Sequence, residues 1–186
     1  MAATRERVFA WVGVIVAAVS AVALSGAVII QQVIDNKNAS QQAAASAAAT
    51  AAQAACADKQ TEQTIPAPTP YIPTSTVSGL QTTDLTPGTG AAAKAGDCLV
   101  VKYYGTLAAT GQRFDDNFSN TQGFAFLVGQ GQVIQGWDEG LIGMKAGGTR
   151  RLVIPAALAY GSQSPSSSIP ANSDLVFEVK LLRIQK

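Results

Sequence analysis

Hydrophobic and polar positions divide the chain into three parts. An apolar run extends over residues 8–30 without a single charged side chain. Residues 38–59 are mostly Ala, Gln, Ser and Thr and lack an apolar heptad, which predicts an exposed, partly helical stalk. From about Val77 onward, segments rich in strand-forming residues alternate with turn residues. The pattern therefore predicts an apolar N-terminal segment, a polar middle part and one folded C-terminal domain.

The apolar run is long enough to cross a membrane. Its roughly 23 residues, rising about 1.5 Å each in a helix, cover about 35 Å, against ~30 Å of hydrocarbon. Arg5 and Arg7 precede the run, and the positive-inside rule places this end in the cytoplasm. We expect residues 1–7 to be cytoplasmic and residues 8–30 to form a single-pass anchor in the cell membrane, with the rest outside the cytoplasm. A cleaved signal peptide is the alternative, although its apolar region is usually shorter.

Residues 31–76 are predicted to be an Ala-rich stalk followed by a Pro-rich linker. Prolines at every second or third position make residues 65–73 an extended, semi-rigid spacer. The two cysteines, Cys56 and Cys98, lie on either side of this spacer. We expect Cys98 to be a buried free thiol, because pairing it with Cys56 would close a loop across a flexible segment. A Cys56–Cys98 disulfide is the alternative, since an oxidising compartment would permit it.

The folded domain, residues 77–186, shows the periodicity of a sheet. Residues 99–104 and 150–154 are rich in strand formers, and Pro155 ends the second segment. Residues 175–181 alternate strictly, with Glu178 and Lys180 opposite the apolar face. Residues 133–141 leave room for one short helix. These segments predict an α+β domain, in which a helix covers one face of an antiparallel sheet.

Composition excludes several kinds of chemistry. The chain contains no histidine, so it has no Ser-His-Asp triad and no His-ligated metal site. The net charge is +1 and no basic cluster occurs, which argues against nucleic acid as a partner. We expect no metal and no cofactor. Aromatic residues beside glycines in the C-terminal domain instead predict an apolar ligand pocket, with Phe126 and Leu175 belonging to the core.

Several short motifs follow one another along this domain. They are residues 103–107, 111–115, 124–129, 133–141, 144–148, 159–161 and 175–179. Their order and spacing resemble the FKBP family of peptidyl-prolyl cis/trans isomerases, from about Leu80 to the end of the chain. The resemblance implies an FKBP-like half-barrel of antiparallel strands wrapped around one short helix.

The resemblance also implies the composition of the pocket. The catalytic residues it implies are Tyr103, Phe114, Asp115, Trp137, Tyr160 and Phe177. The substrate-binding residues it implies are Phe124, Val133, Ile134 and Ile169. In this arrangement Trp137 forms the floor, and the Ile134 N–H and the Tyr160 hydroxyl donate hydrogen bonds to bound carbonyls. Ile169 belongs to a loop that overhangs the mouth.

Two positions depart from the family pattern. Asn120 replaces a basic residue that commonly contacts the pocket carboxylate, so Asp115 is expected to keep at most a neutral hydrogen bond with Asn120. Residues 161–169 are rich in serine, which predicts a more polar and more mobile overhang. Both changes bear on substrate preference and macrolide affinity more than on the activity itself.

The implied reaction is rotation about the bond that precedes proline. Its barrier of ~18–20 kcal/mol comes from amide resonance, so rotation needs neither a nucleophile nor a metal. An apolar pocket disfavours the planar, more polar amide relative to the twisted one. The expected partners are proline-containing polypeptides outside the cytoplasm, with a macrolide as a further ligand and the membrane as anchor. The alternative is a membrane-tethered chaperone or binding module for proline segments, without turnover.

Overall fold

The computed structural model describes residues 37, 39, 41–48, 50–57, 67–73 and 77–185. The predicted cytoplasmic segment 1–7 and the predicted anchor 8–30 lie outside these residues. Within the described ranges, no helix is both long and apolar enough to span a membrane. The chain divides into two compact units, Met1–Ala51 and Ala52–Lys186.

The described part of the first unit is helical. Residues 41–48, 50 and 51 form helix and their side chains are exposed, as expected for the stalk. The second unit begins with helical residues 52–55, which is earlier than the predicted domain start at Val77.

The second unit contains an antiparallel sheet. Its strand order is β1-β5-β6-β2-β3, and β4 also pairs with β2. The two longest strands, β2 and β6, pair along the whole of β2. The strands are β1 (Gln81–Thr86), β2 (Cys98–Leu107), β3 (Arg113–Asp116), β4 (Phe124–Leu127), β5 (Thr149–Ile154) and β6 (Leu175–Gln185). With the short helix Gln135–Gly140 and a 3-10 turn at Ala156–Leu158, they confirm the predicted antiparallel sheet with one short helix.

The short helix packs closely on β5. A Cβ atom on Gly136 would lie 2.4 Å from Cγ2 of Ile154, so only glycine allows this approach. Trp137 on the same helix is buried in the main core. Phe126 and Leu175 are buried in that core too, as predicted.

The opposite face of β6 is also covered. Val176 packs with Val77, Ala108 and Val153 in a second apolar cluster. Glu178 is buried as well, against the expectation for a polar face. Because the guanidinium of Arg151 on β5 lies 2.5 Å from its carboxylate, the charge of Glu178 is compensated.

Part of the Pro-rich linker covers this ion pair. The Arg151 guanidinium carbon lies 4.2 Å from the centre of the Tyr71 ring, a cation–π contact. A Cβ atom on Gly111 would lie 2.7 Å from Ile72, so this side chain packs directly on the β2–β3 turn. Residues 71 and 72, which the sequence places in the Pro-rich linker, therefore pack on the domain.

Cys98 is not a free thiol. It forms a disulfide with Cys56, with 5.5 Å between the two Cα atoms, and both residues are buried. The sequence-based argument overestimated the cost of closing this loop, because that cost grows only with the logarithm of loop length.

Candidate functional site

A cavity of about 250 Å³ is lined by side chains from four strands and the short helix. Nine predicted site residues line it: Tyr103, Phe114, Asp115, Phe124, Val133, Ile134, Trp137, Tyr160 and Phe177. Gln132 completes the lining, and no sequence argument had indicated it. The fold thus brings together almost the whole predicted set, while the role of each residue stays a prediction.

The aromatic rings of the cavity meet edge to face. The Trp137 ring centre lies 5.4 Å from that of Tyr103 and 5.1 Å from that of Phe177, with interplanar angles of 77° and 86°. Phe114 contacts Phe177 in the same way, at 5.5 Å. Such contacts fix the rings relative to one another. Phe124 is 41 % exposed and forms the accessible part of this apolar wall.

A glycine in β2 makes room for the wall. A Cβ atom on Gly105 would lie 2.7 Å from the Phe114 ring and 2.8 Å from the Phe177 ring. A larger residue would therefore displace both rings, and the sequence places glycine where the two phenylalanines approach the strand.

The carboxylate of Asp115 accepts a hydrogen bond from the Tyr103 hydroxyl, with an O–O distance of 2.6 Å. The prediction that Asn120 would be its partner is wrong. The Asn120 carbonyl instead accepts a hydrogen bond from Lys102, and its N–H donates to Asn117. Burial raises the pKa of Tyr103, and the hydrogen bond to Asp115 raises it further. The tyrosine thus stays protonated and keeps the carboxylate in place.

Tyr160 and Ile134 carry polar hydrogens that remain available. The Tyr160 hydroxyl and the Ile134 N–H donate to no acceptor among the described residues. Tyr160 is 37 % exposed, and its pKa is raised by burial and by the nearby negative charge of Asp115. Both groups can therefore donate hydrogen bonds to a carbonyl in the cavity.

Trp137 adds a third donor. The residue is 4 % exposed, and its Nε1 atom is buried without a hydrogen-bond partner in the part of the chain that the structure describes. An unpaired buried donor costs free energy, so such groups often mark sites that a ligand completes.

A carboxylate on the helix orders the segment that leads into the cavity. The two oxygens of Asp138 each accept a hydrogen bond of 2.7 Å, from the N–H groups of Gly129 and Gly131. Both glycines have positive φ, 74° and 67°, which other residues rarely adopt. This turn directly precedes Gln132 and Val133. The sequence signal was present: two closely spaced glycines followed by an acidic residue in the first helical turn.

Ile169 does not line the cavity, so its prediction is corrected. It is buried in the main core, and its carbonyl accepts a hydrogen bond of 2.8 Å from the Ser164 hydroxyl. An aliphatic side chain gains more free energy inside the core than at a wet pocket mouth. The serine-rich loop thus contains internal hydrogen bonds from the Ser164 hydroxyl to the carbonyls of Ser166 and Ile169.

Metal ligation has no basis in the described ranges. No group of three or more acidic, Cys or His side chains in them could hold a metal ion. The cavity instead combines an apolar floor with a few hydrogen-bond donors and one carboxylate, the usual composition of a small-ligand site.

Known proteins are similar to this chain in sequence and in fold. "FK506-binding protein 4" of Gibberella zeae is 51 % identical over 109 residues, which cover 59 % of this chain and 21 % of that protein. "FK506-binding protein 2B" of Rhizopus delemar is 51 % identical over 90 residues, covering 48 % of this chain and 43 % of that protein. The crystal structure of FkpA from Escherichia coli matches with a TM-score of 0.52 and 42 % identity, covering 58 % of this chain and 49 % of FkpA.

The similarity covers only part of each protein. The chain spans about a fifth of the length of the Gibberella protein and less than half of the Rhizopus protein. A family model described as "FKBP-type peptidyl-prolyl cis-trans isomerase" matches residues 90–182, which are half of the chain. With this match and the ring-lined cavity inside it, the chain belongs to the FKBP-type peptidyl-prolyl cis-trans isomerase family.

Proposed function

We propose that the chain catalyses cis/trans isomerisation of bonds that precede proline, and assists the folding of proline-containing proteins outside the cytoplasm. The observation that carries the proposal is the cavity itself. It is lined by five aromatic side chains beside Tyr160 and contains hydrogen-bond donors that have no acceptor among the described residues. The family match supports the same activity.

The aromatic floor lowers the barrier to rotation. A planar amide is stabilised by resonance and is more polar than the twisted amide of the transition state. Trp137 and Phe177 surround the bound amide with apolar surface, which solvates the planar form less well than water does. Only interactions that favour the twisted form over the planar one accelerate the reaction.

The donors then hold the rotating segment. The Tyr160 hydroxyl and the Ile134 N–H bind carbonyl groups of the substrate and keep one side of the bond fixed while the other turns. The Asp115–Tyr103 hydrogen bond keeps the carboxylate at a defined place on the cavity edge. Since rotation breaks no covalent bond, no residue has to exchange a proton with the substrate.

The proposed location is supported by the N-terminal sequence and by the disulfide. The uncharged run 8–30, with Arg5 and Arg7 before it, supports a membrane anchor whose N-terminus is cytoplasmic. The Cys56–Cys98 disulfide supports an oxidising compartment for the domain, because glutathione and thioredoxin reduce such bonds in the cytosol. In intact cells, external protease should digest the C-terminal domain. A C-terminal domain that the protease cuts only after the cells are lysed would contradict this topology.

The activity is tested with the purified full chain and a proline-containing peptide. We expect accelerated cis/trans exchange by NMR, and inhibition by FK506, the ligand for which the relatives are named. The variant Trp137→Leu should lose most of the acceleration while retaining its fold, because leucine fills the floor without an aromatic face. Gln163→Leu, on an exposed loop outside the cavity, is the matched control.

The result separates two functions. Binding of proline peptides without accelerated exchange would assign the chain to the alternative, a membrane-tethered module that holds proline segments. Absence of both binding and exchange would refute the proposed site.

A further inference from the structure

A second cavity adjoins the first. Its volume is about 440 Å³, and it shares Tyr103 and Phe124 with the cavity described above. The remaining lining residues come from one loop between β3 and β4: Asn117, Asn120, Thr121, Gln122 and Gly123. A peptide whose proline occupies the first cavity therefore has to cross only the shared ring wall to reach the second.

A buried lysine holds this loop. Lys102 on β2 is 0 % exposed, although its side chain is charged. Its ammonium donates hydrogen bonds to the carbonyls of Asn117 at 3.2 Å and Gln122 at 3.3 Å, and to the carbonyl of Asn120. The cation thus gathers the loop carbonyls on the side away from solvent.

Asn117 attaches the same loop to β2. Its side-chain amide donates to the Val101 carbonyl at 3.2 Å, and its side-chain oxygen accepts from the Tyr103 N–H at 2.7 Å. The Asn117 N–H returns a hydrogen bond of 3.1 Å to the Tyr103 carbonyl. Because these contacts involve the residue that separates the two cavities, the second cavity is preformed rather than created by a ligand.

The exposed side of the loop offers neutral polar groups. The side chains of Asn120, Thr121 and Gln122 are exposed and form no hydrogen bond among the described residues. Amide and hydroxyl groups both donate and accept. None of the described residues that line this cavity carries a charged side chain, and the ammonium of Lys102 is directed to the carbonyls behind it.

We propose that the second cavity is a substrate subsite for an uncharged polar side chain, such as glutamine or asparagine, within two residues of the proline. The proposal rests on the proposed isomerase function and extends it to substrate selection. Asn120 and Gln122 recognise the side chain, and Lys102 acts as a positioning residue that fixes their loop.

Peptide pairs test this subsite in the full chain. The two peptides of a pair differ at one position, which is Gln in one peptide and Leu in the other. This position is one of the two residues before the proline or one of the two after it, and kcat/KM is measured by NMR exchange. We expect about a threefold to tenfold preference for Gln at one position, the effect of one hydrogen bond. The double variant Asn120→Leu, Gln122→Leu should lose this preference. Gln112→Leu, an exposed residue that lines neither cavity, should keep the preference.

The outcomes separate the subsite from the activity. Equal rates for Gln and Leu at every position, or a preference that survives the double variant, would refute the subsite and leave the isomerase intact. A stronger preference for Glu or Lys than for Gln at that position would refute the proposal that the subsite selects an uncharged side chain. If no peptide is isomerised, the proposed function fails, and dissociation constants of the same peptide pairs decide the subsite by the same criterion.

Discussion

Replacing Lys102 with methionine tests the buried cation directly. Methionine matches the length of the lysine stem but removes the ammonium that donates to the carbonyls of Asn117, Asn120 and Gln122. The substitution has two opposing effects on the free energy of unfolding. Hydrogen bonds from a charged group are lost, and the cost of burying that charge is removed.

The balance can be worked out from the contacts. Hydrogen bonds to a charged group contribute about 1.5–3 kcal/mol each, so three are worth about 5–9 kcal/mol. Burying an ammonium costs several kcal/mol, which offsets most of this. The bond to Asn117 is fully buried, whereas water can reach the other two carbonyls once the ammonium is gone. One unsatisfied buried carbonyl costs about 1–3 kcal/mol, so we expect Lys102→Met to destabilise the fold by about 2–3 kcal/mol.

Urea unfolding of the full chain, followed by tryptophan fluorescence, measures this difference. Lys180→Met is the matched control, because Lys180 pairs with Lys102 in the β2–β6 register and its side chain forms no hydrogen bond among the described residues. The control should change the unfolding free energy by less than about 0.5 kcal/mol. A Lys102→Met variant as stable as the control would show that the lysine does not hold the loop.

Three further changes test the site and its support. Tyr160→Phe should lower kcat/KM for a proline peptide about threefold to tenfold without changing the unfolding free energy, because the hydroxyl donates to no acceptor in the described part of the chain. An unchanged rate would remove this hydroxyl from the mechanism. The pKa values of Tyr103 and Tyr160 are both raised above 10, so both stay protonated and kcat/KM should be flat between about pH 6 and 9. A titration step in that range would indicate proton transfer. Cys98→Ser should lower the unfolding free energy of the oxidised protein by about 3–4 kcal/mol, as expected for a disulfide with a sequence separation of 42. Reduction of the unmodified protein should have the same effect, and an oxidised protein no more stable than the variant would show that the bridge does not form.

Local patterns predicted the sheet because its strands carry their own signals. The alternation of residues 175–181 places one strand, and Pro155 marks the end of another at Ile154. The linker contacts carry no comparable local signal. Tyr71 reaches Arg151 across 80 positions of sequence, and its packing depends on a partner that is exposed until the sheet has formed. Two cysteines in the sequence were likewise compatible with a bridge or with free thiols, and only the fold brings them together.

The candidate site shows the same division. The family resemblance predicts which residues line the cavity, and the rings around Trp137 do line it. The resemblance does not predict the hydrogen-bond partners of a residue that departs from the family pattern. The pocket carboxylate of Asp115 accepts its hydrogen bond from Tyr103, and the Asn120 carbonyl accepts one from Lys102 on β2. A lysine amid strand residues indicates an exposed position, whereas in the fold carbonyls of a later loop accept its hydrogen bonds and favour its burial. We therefore expect the rate of isomerisation to depend on the aromatic rings of the cavity, and the preference among substrates to depend on the loop that Lys102 holds.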